Sequence, residues 1–138
     1  MLDINTIERL DKIATPFYYY DVELLKKTLD SAIGEASKHE GFHIHYAIKA
    51  NFNPKLLQII NGAGMGADCV SGGEVKAALA AGIPAEKIVF AGVGKTEKEI
   101  RLSLEAGIFC FNVESLPEAE LINELAADYG KSAQIAIR

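Results

Sequence analysis

The chain has 138 residues, with 14 Lys and Arg against 19 Asp and Glu and a formal net charge of -5. That length suffices for one domain with a real core, and the lack of a basic block excludes the electrostatic surface of a nucleic-acid binder. No apolar run reaches the roughly 18 residues that a membrane span needs, and the first residues lack the basic and apolar regions of a secretory signal.

The two cysteines, Cys69 and Cys110, lie far apart and show no CxxC spacing. Such a pair argues against a disulfide framework and against a zinc site. Free cysteines are among the most buried residues and persist in reducing compartments. The sequence therefore predicts two buried thiols in a cytoplasmic protein.

The first third of the chain predicts two helices and a strand. Residues 1–15 carry apolar side chains at helical spacing, and Thr15-Pro16 ends that segment because a residue before proline avoids the helical region. The β-favouring run 17–20 predicts a strand. Asp21 is then a good N-cap for a second helix, whose leucines repeat at helical spacing.

The stretch 43–49 predicts a strand that ends on a lone lysine. Because side chains alternate along a strand, Lys49 shares a face with His43, His45 and Ala47, opposite an apolar stripe. A lysine in this position can point into a site and not into a layer of helices.

From residue 54 onward the chain alternates between helical and strand patterns, with a period of about 20 to 25 residues. Helices are predicted over 54–61, 73–81, 97–106 and 117–129, and strands over 66–70, 87–91, 108–113 and 133–138. Ser71, Thr96 and Ser115 are the expected N-caps, and Gly82, Gly107 and Gly130 follow three of the helices. Alternation of this kind predicts a parallel sheet with right-handed crossovers.

Two α/β architectures accept this pattern. One is an open doubly wound sheet, complete at this length. The other is a parallel (β/α)8 TIM barrel, of which the chain would hold about five βα units. His45, Lys49 and Asp68 near the carboxyl ends of strands favour the barrel, as does Arg138, which closes the chain directly after a strand. We therefore expect residues 1–138 to form a single, incomplete barrel domain.

Lys49 and Asp68 are the candidate chemical groups. A lysine amine becomes a nucleophile toward carbonyl groups when burial disfavours its charged form, although a lysine past a strand end can also simply reach solvent. Asp68 ends the next strand, where it could approach Lys49 or cap the following helix.

Other motifs carry weaker signals. Gly72-Gly73 before a helix could cradle an anion or simply form a turn. The run 92–96 resembles a P-loop, but Val89 stands where the motif requires glycine, so we reject nucleotide binding and leave Lys95 as a residue that could line a site mouth. His43 and His45 share a strand face without a nearby carboxylate or cysteine, which favours structural roles over a metal site.

Several motifs together resemble the fold-type III pyridoxal-phosphate decarboxylases, which have an alanine racemase-like barrel. They occur in the family's order at 15–21, 46–51, 68–74, 111–115 and 135–138. The Val-Ser-Gly-Gly-Glu form at 70–74 is most similar to the diaminopimelate decarboxylase family. Alanine racemases share the lysine motif but follow it with Ala-Tyr-Gly, whereas this chain has Asn-Phe-Asn-Pro at 51–54.

The resemblance implies that Lys49 binds pyridoxal 5'-phosphate covalently until an amino-acid substrate displaces it. It implies that Asp68 lies beside that bond and Arg138 near the ring oxygen of the cofactor or the path of the carboxylate. The diaminopimelate decarboxylases convert meso-diaminopimelate to L-lysine and carbon dioxide in the cytoplasm, as homodimers.

The same resemblance places other parts of the family's machinery beyond residue 138, among them the phosphate-binding loop and the C-terminal β-domain. We therefore expect this polypeptide alone to bind the cofactor weakly and not to decarboxylate. Two alternatives remain open. One is a decarboxylase for ornithine, arginine or carboxynorspermidine, because the substrate-facing residues of the family lie mostly downstream. The other is a non-enzymatic α/β ligand-binding module.

Overall fold

The computed structural model describes residues 3–138 as a parallel five-stranded sheet with helices. The strands are β1 His45–Ala47, β2 Gly66–Cys69, β3 Ile88–Phe90, β4 Cys110–Val113 and β5 Ile135–Ile137. The helices are α1 Ile4–Leu10, α2 Val22–Ala36, α3 Pro54–Gly62, α4 Gly72–Ala80, α5 Glu97–Ala106 and α6 Leu116–Asp128. Within these residues, no helix combines the length and apolar character that a membrane crossing requires.

The strands follow one another across the sheet in the order β1-β2-β3-β4-β5, and every adjacent pair is parallel. A doubly wound sheet reverses its winding direction at a switch point, so its strand order does not simply follow the chain. Sequential order is the arrangement of a barrel wall. The α/β barrel prediction is therefore confirmed against the doubly wound alternative.

Local capping starts the helices where the sequence predicts. Asp21, Ser71, Thr96 and Ser115 are the N-caps of α2, α4, α5 and α6, and each side chain accepts a hydrogen bond from the backbone N–H three residues later. These bonds satisfy N–H groups that the first turn of a helix leaves unpaired. Gly107 follows α5 with φ of 71°, a left-handed conformation that glycine adopts without strain.

The main core lies between the sheet and the helices α3 to α6. Its fully buried side chains include Ile48, Leu57, Val75, Ile88, Phe90, Ile100, Phe111 and Ile122. A second cluster, formed by Leu29, Ile60 and Met65, joins α2 to α3 and to the segment before β2. Tyr46 packs against both clusters, so β1 contacts both parts of the core.

Both cysteines are free and buried, as predicted. Burial raises the pKa of the Cys69 thiol to about 12, with smaller contributions from Glu74 and Asp68. Burial likewise raises the pKa of Cys110. The thiols therefore stay protonated at neutral pH and serve as small apolar groups.

The predicted strand over 17–20 is wrong. These four residues have no regular structure, and Tyr18 is 89% exposed. A strand needs a neighbour that pairs its backbone groups, and the sheet of the described residues begins only at β1. The predicted strand over 43–49 is shorter than expected, since Lys49 belongs to a 3-10 turn. Met1 and Leu2, at the start of the predicted first helix, lie outside the described residues.

Candidate active site

Lys49 lies at the carboxyl edge of the sheet, directly after β1. It is the middle residue of a single 3-10 turn, Ile48–Ala50, that we call the lysine turn. Ile48 is fully buried beneath the turn, whereas Lys49 is exposed. The Lys49 Nζ atom makes no hydrogen bond or ion pair with any residue between 3 and 138. The turn thus presents a free amine on an anchored piece of backbone.

Asp68 lies on β2, next to the strand that leads into the lysine turn. The register pairs Ala47 with Asp68, so Lys49 follows two residues after the paired position, within the turn. The Asp68 Oδ1 atom is buried and has no hydrogen-bond partner within the described part of the chain. A buried oxygen left without a donor costs free energy. It therefore marks a place where a bound group with a hydroxyl or cationic donor would be stabilised.

His45 faces the same side of the sheet but serves packing. Its ring stacks on Phe109 with centroids 6.3 Å apart and planes 13° from parallel. It also covers Gly66, where an added Cβ would come within 2.5 Å of the His45 ring. Burial lowers the pKa of His45, and the nearby His43 lowers it further, whereas Asp68 opposes the shift. His45 is the first residue of β1, so it lies at the amino end of that strand and not near a carboxyl end as the sequence suggested.

A cavity of about 330 Å³ lies at the opposite, amino end of the strands. Phe42, His43, His45, Glu86 and Phe109 are among its lining residues, and neither Lys49 nor Asp68 contributes to it. The candidate chemistry and this cavity are therefore separate features of the sheet.

Lys95 does not line the site mouth, contrary to the sequence-based expectation. Its side chain is 1% exposed, and Nζ forms an ion pair with Glu118 Oε1 at 2.6 Å. Nζ also donates to the carbonyl oxygens of Gly92 at 2.8 Å and Asn112 at 2.7 Å, and it lies 5.4 Å from the Phe90 ring centroid. With three acceptors for its three N–H bonds, Lys95 joins the ends of β3 and β4 to α6.

Gly72-Gly73 does not offer an open anion cradle either. The Gly72 N–H donates to Glu99 Oε1 at 2.7 Å, so a carboxylate of the protein already occupies the start of α4. This bond, with two more from Thr96, holds the pKa of Glu99 below its usual value. An added Cβ on Gly72 would lie 2.7 Å from Glu99 Cγ. Glycine is required here because the neighbouring side chain approaches so closely.

Arg138 directly follows the far edge strand, β5, which is four strands from β1 in the sheet order. Its Nη1 atom lies 3.2 Å from Glu114 Oε1, and its side chain is 69% exposed. The described residues therefore bring Lys49 and Asp68 together at one edge of the sheet, while Arg138 stands apart at the same end of its strand.

Sequence reasoning missed the hydrogen bonds that surround the lysine turn. The Tyr46 hydroxyl donates to the carbonyl oxygen of Asn51 at 3.2 Å. The Asn51 side chain donates to the Tyr20 hydroxyl at 3.1 Å and accepts from the Asn53 backbone N–H at 3.0 Å. In the sequence, Tyr46 counted as strand-favouring bulk and as the first residue of the 46–51 motif, with no hydrogen bond expected of it. The sequence signal for this bond is the position of Tyr46, which lies before Lys49 in the chain while Asn51 lies after it.

The family model described as "Pyridoxal-dependent decarboxylase, pyridoxal binding domain" matches residues 26–138 of the chain. Among curated proteins, the chain is 58% identical over 138 residues to the diaminopimelate decarboxylase of Bacteroides thetaiotaomicron, a match that covers 100% of this chain and 36% of that protein. It is 46% identical to the diaminopimelate decarboxylase of Aquifex aeolicus, covering 98% of this chain and 31% of that protein.

Solved structures show the same likeness. The diaminopimelate decarboxylase of Helicobacter pylori in complex with L-lysine matches with a TM-score of 0.84 at 39% identity, over 97% of this chain and 34% of that chain. The diaminopimelate decarboxylase of Methanocaldococcus jannaschii matches with a TM-score of 0.90 at 39% identity, over 96% of this chain and 32% of that chain. The chain thus spans about a third of the length of the relatives it matches.

Proposed function

The chain belongs to the pyridoxal-dependent decarboxylases, and from that premise we propose that it is the lysine-bearing part of a meso-diaminopimelate decarboxylase, which forms L-lysine and carbon dioxide. The observation that carries the proposal is that the exposed Lys49 amine and the buried Asp68 Oδ1 lie at the same edge of the sheet, both without a hydrogen-bond partner among residues 3–138. The identity of 58% to a diaminopimelate decarboxylase supports this substrate over ornithine, arginine and carboxynorspermidine.

The residues fit pyridoxal 5'-phosphate. Lys49 supplies a primary amine, the group that reacts with a carbonyl when it is deprotonated. Asp68 supplies an acceptor for a hydroxyl or cationic donor next to that amine. When bound, the cofactor supplies the electron sink for the pair released as the substrate loses its α-carboxylate.

Two residues of this chain would have tasks at the site. Lys49 would hold the cofactor through its amine and would release it when the amine of a substrate takes its place. The carboxylate of Asp68 would orient the bound group and balance positive charge at this edge of the sheet.

We extend the proposal to Arg138, which would contact the cofactor ring oxygen or the path of the carboxylate. Among residues 3–138 the guanidinium is engaged through Nη1 alone, by Glu114, and a guanidinium has five N–H donors. The remaining donors can therefore contact an anionic group at the carboxyl end of β5.

The organisation of the whole protein is also part of the proposal. Residues 1–138 form one partial (β/α)8 barrel domain, and a C-terminal β-domain belongs to the same enzyme. The natural protein acts on a small amino acid as a cytoplasmic homodimer. The chain matches about a third of the length of its relatives, which supports a partial domain. The family resemblance supports the C-terminal β-domain, the cytoplasmic location and the homodimer.

Trapping the cofactor on the protein tests the proposal. The natural protein that carries this sequence is incubated with pyridoxal 5'-phosphate, reduced with borohydride, digested and mapped by mass spectrometry. We expect a pyridoxyl group on Lys49 and release of carbon dioxide from meso-diaminopimelate. Lys49→Arg, which keeps the charge, should carry no label at that position and lose at least about a thousandfold in activity.

Lys38→Arg, at an exposed lysine, serves as the matched control and should be labelled at Lys49 like the unsubstituted protein. A folded protein without label on Lys49 contradicts the proposal and supports the non-enzymatic α/β module. Label on Lys49 with carbon dioxide released only from ornithine, arginine or carboxynorspermidine contradicts the substrate.

A further inference from the structure

The lysine turn has no cap of its own. Ala47 precedes it and offers no side-chain hydrogen bond, and Asn51 follows it in an extended conformation. A single 3-10 turn has poor hydrogen-bond geometry and rarely persists without outside contacts. Something beyond the turn must therefore hold Lys49 in one place.

Two side chains flank Lys49 and tie its backbone down. Ile48 is fully buried in the main core and anchors the inner side of the turn. Tyr46 bridges the outer side, because its hydroxyl reaches past the turn to the carbonyl oxygen of Asn51 at 3.2 Å. This bond joins Tyr46, two residues before the turn, to Asn51, the residue after it.

Tyr46 is a rigid support for such a bridge. Its ring packs against both core clusters, so the position of the hydroxyl is set by the core and not by the turn. Burial raises the pKa of Tyr46, and the hydroxyl therefore remains a hydrogen-bond donor across the neutral pH range.

The far side of the bridge is also fixed. The Asn51 side chain contacts the Tyr20 hydroxyl and the Asn53 backbone, and the Asn53 side chain accepts from Lys55 N at the start of α3. The carbonyl that receives the Tyr46 hydroxyl thus belongs to a segment already tied to a helix.

We propose that Tyr46 is a positioning residue that holds the lysine turn through the carbonyl oxygen of Asn51 and so sets the place from which the Lys49 amine reacts. The proposal deepens the proposed function and rests on it for the reaction of the amine with pyridoxal phosphate. Tyr46 acts through the backbone and is not assigned a contact with cofactor or substrate.

Trypsin provides a test that needs no cofactor, because it cleaves after Lys49 only when the turn opens. In Tyr46→Phe, we expect cleavage of the Lys49–Ala50 bond to accelerate about fivefold relative to cleavage after Lys38 in the same sample, the factor that corresponds to one neutral hydrogen bond. Lys38 follows α2 and is exposed, so the ratio corrects for differences in protease activity and protein concentration.

Tyr19→Phe is the matched control, since the Tyr19 hydroxyl makes no hydrogen bond within residues 3–138. It should leave the cleavage ratio unchanged. The second measurement is the rate at which pyridoxal phosphate becomes trappable on Lys49 in the natural protein. This rate should fall by a similar factor in Tyr46→Phe and stay constant in Tyr19→Phe.

An unchanged cleavage ratio in Tyr46→Phe overturns the proposal. If the cleavage ratio rises in Tyr46→Phe but the rate of cofactor trapping on Lys49 does not change, Tyr46 holds the turn without positioning the amine, and the positioning role is overturned. Absence of trapping in the unsubstituted protein sinks the proposed function, and the cleavage ratio then still decides whether Tyr46 holds the turn.

Discussion

Two lysines follow strands at the same edge of the sheet, and their surroundings are opposite. Lys95 is buried, and each of its three N–H bonds has an acceptor, from Glu118, Gly92 and Asn112. Lys49 is exposed and its amine has no partner within residues 3–138. The amine of a lysine after a strand is therefore available for reaction only where the fold leaves it without hydrogen-bond acceptors.

The largest expected effect comes from removing the buried lysine. Lys95→Met leaves the Glu118 carboxylate, 12% exposed, without its counter-ion. Breaking one partner of a buried pair costs about 3 to 5 kcal/mol of unfolding free energy. Lys49→Met removes an exposed charge and should change stability by less than about 0.5 kcal/mol. Urea unfolding of both variants measures the contrast.

A double variant identifies the cause of that loss. Lys95→Met/Glu118→Gln removes the uncompensated charge, and the amide oxygen can still accept from the Glu114 N–H that Glu118 binds at 2.9 Å. It should recover part of the stability lost in Lys95→Met. Equal losses in Lys49→Met and Lys95→Met would show that the two lysines do not differ in the way described.

Two adjacent glycines, Gly72 and Gly73, differ in the same way in how closely other side chains approach them. Gly72 faces filled space, since its added Cβ would lie 2.7 Å from Glu99 Cγ, whereas the nearest atom to a Cβ on Gly73 is Ser71 Oγ at 3.6 Å. Gly72→Ala should therefore lower the unfolding free energy by about 1 to 3 kcal/mol. Gly73→Ala should leave it unchanged or raise it by less than about 1 kcal/mol. Thermal unfolding distinguishes them, and similar values for both would contradict the close approach of Glu99.

The helix starts were predictable because they depend on residues close together in the sequence. The site was less predictable because its contacts join residues that are far apart in the sequence. The N-caps at Asp21, Thr96 and Ser115 were readable because a cap acts within three residues of chain. The strand over 17–20 failed because a strand depends on a partner that the local sequence does not contain.

The same limit explains the outcome at the site. Asp68 could be placed near Lys49 because neighbouring parallel strands end at one edge. Burial of Lys95 depends on Glu118, which is 23 residues away, and the filled cradle at Gly72 depends on Glu99, which is 27 residues away. Those pairings follow from register and helix packing, which no motif in the sequence encodes.

The smallest effect concerns acid stability and extends the comparison to a carboxylate. Glu99 has its pKa lowered below the ordinary 4.5, first by the Gly72 N–H and then by Thr96. A depressed pKa in the folded protein adds stability above the unfolded pKa, and that stability is lost as the pH falls through the folded pKa. Glu99→Gln should therefore cost about 1 kcal/mol at pH 7, and the difference from the unsubstituted protein should shrink as the pH drops below 4.5.

Glu97→Gln is the matched control, because it removes a charge from the same first turn of α5. Within residues 3–138, the one side-chain partner of Glu97 is Arg101. The difference of Glu97→Gln from the unsubstituted protein should be small at pH 7. If the cost of Glu99→Gln stayed constant from pH 7 to pH 3, the charge of Glu99 would not be what holds the start of α4. The contact between Glu99 and Gly72 would then be stabilised by packing. The start of α4 would be held against α5 by that packing, and not by the negative charge of the Glu99 carboxylate.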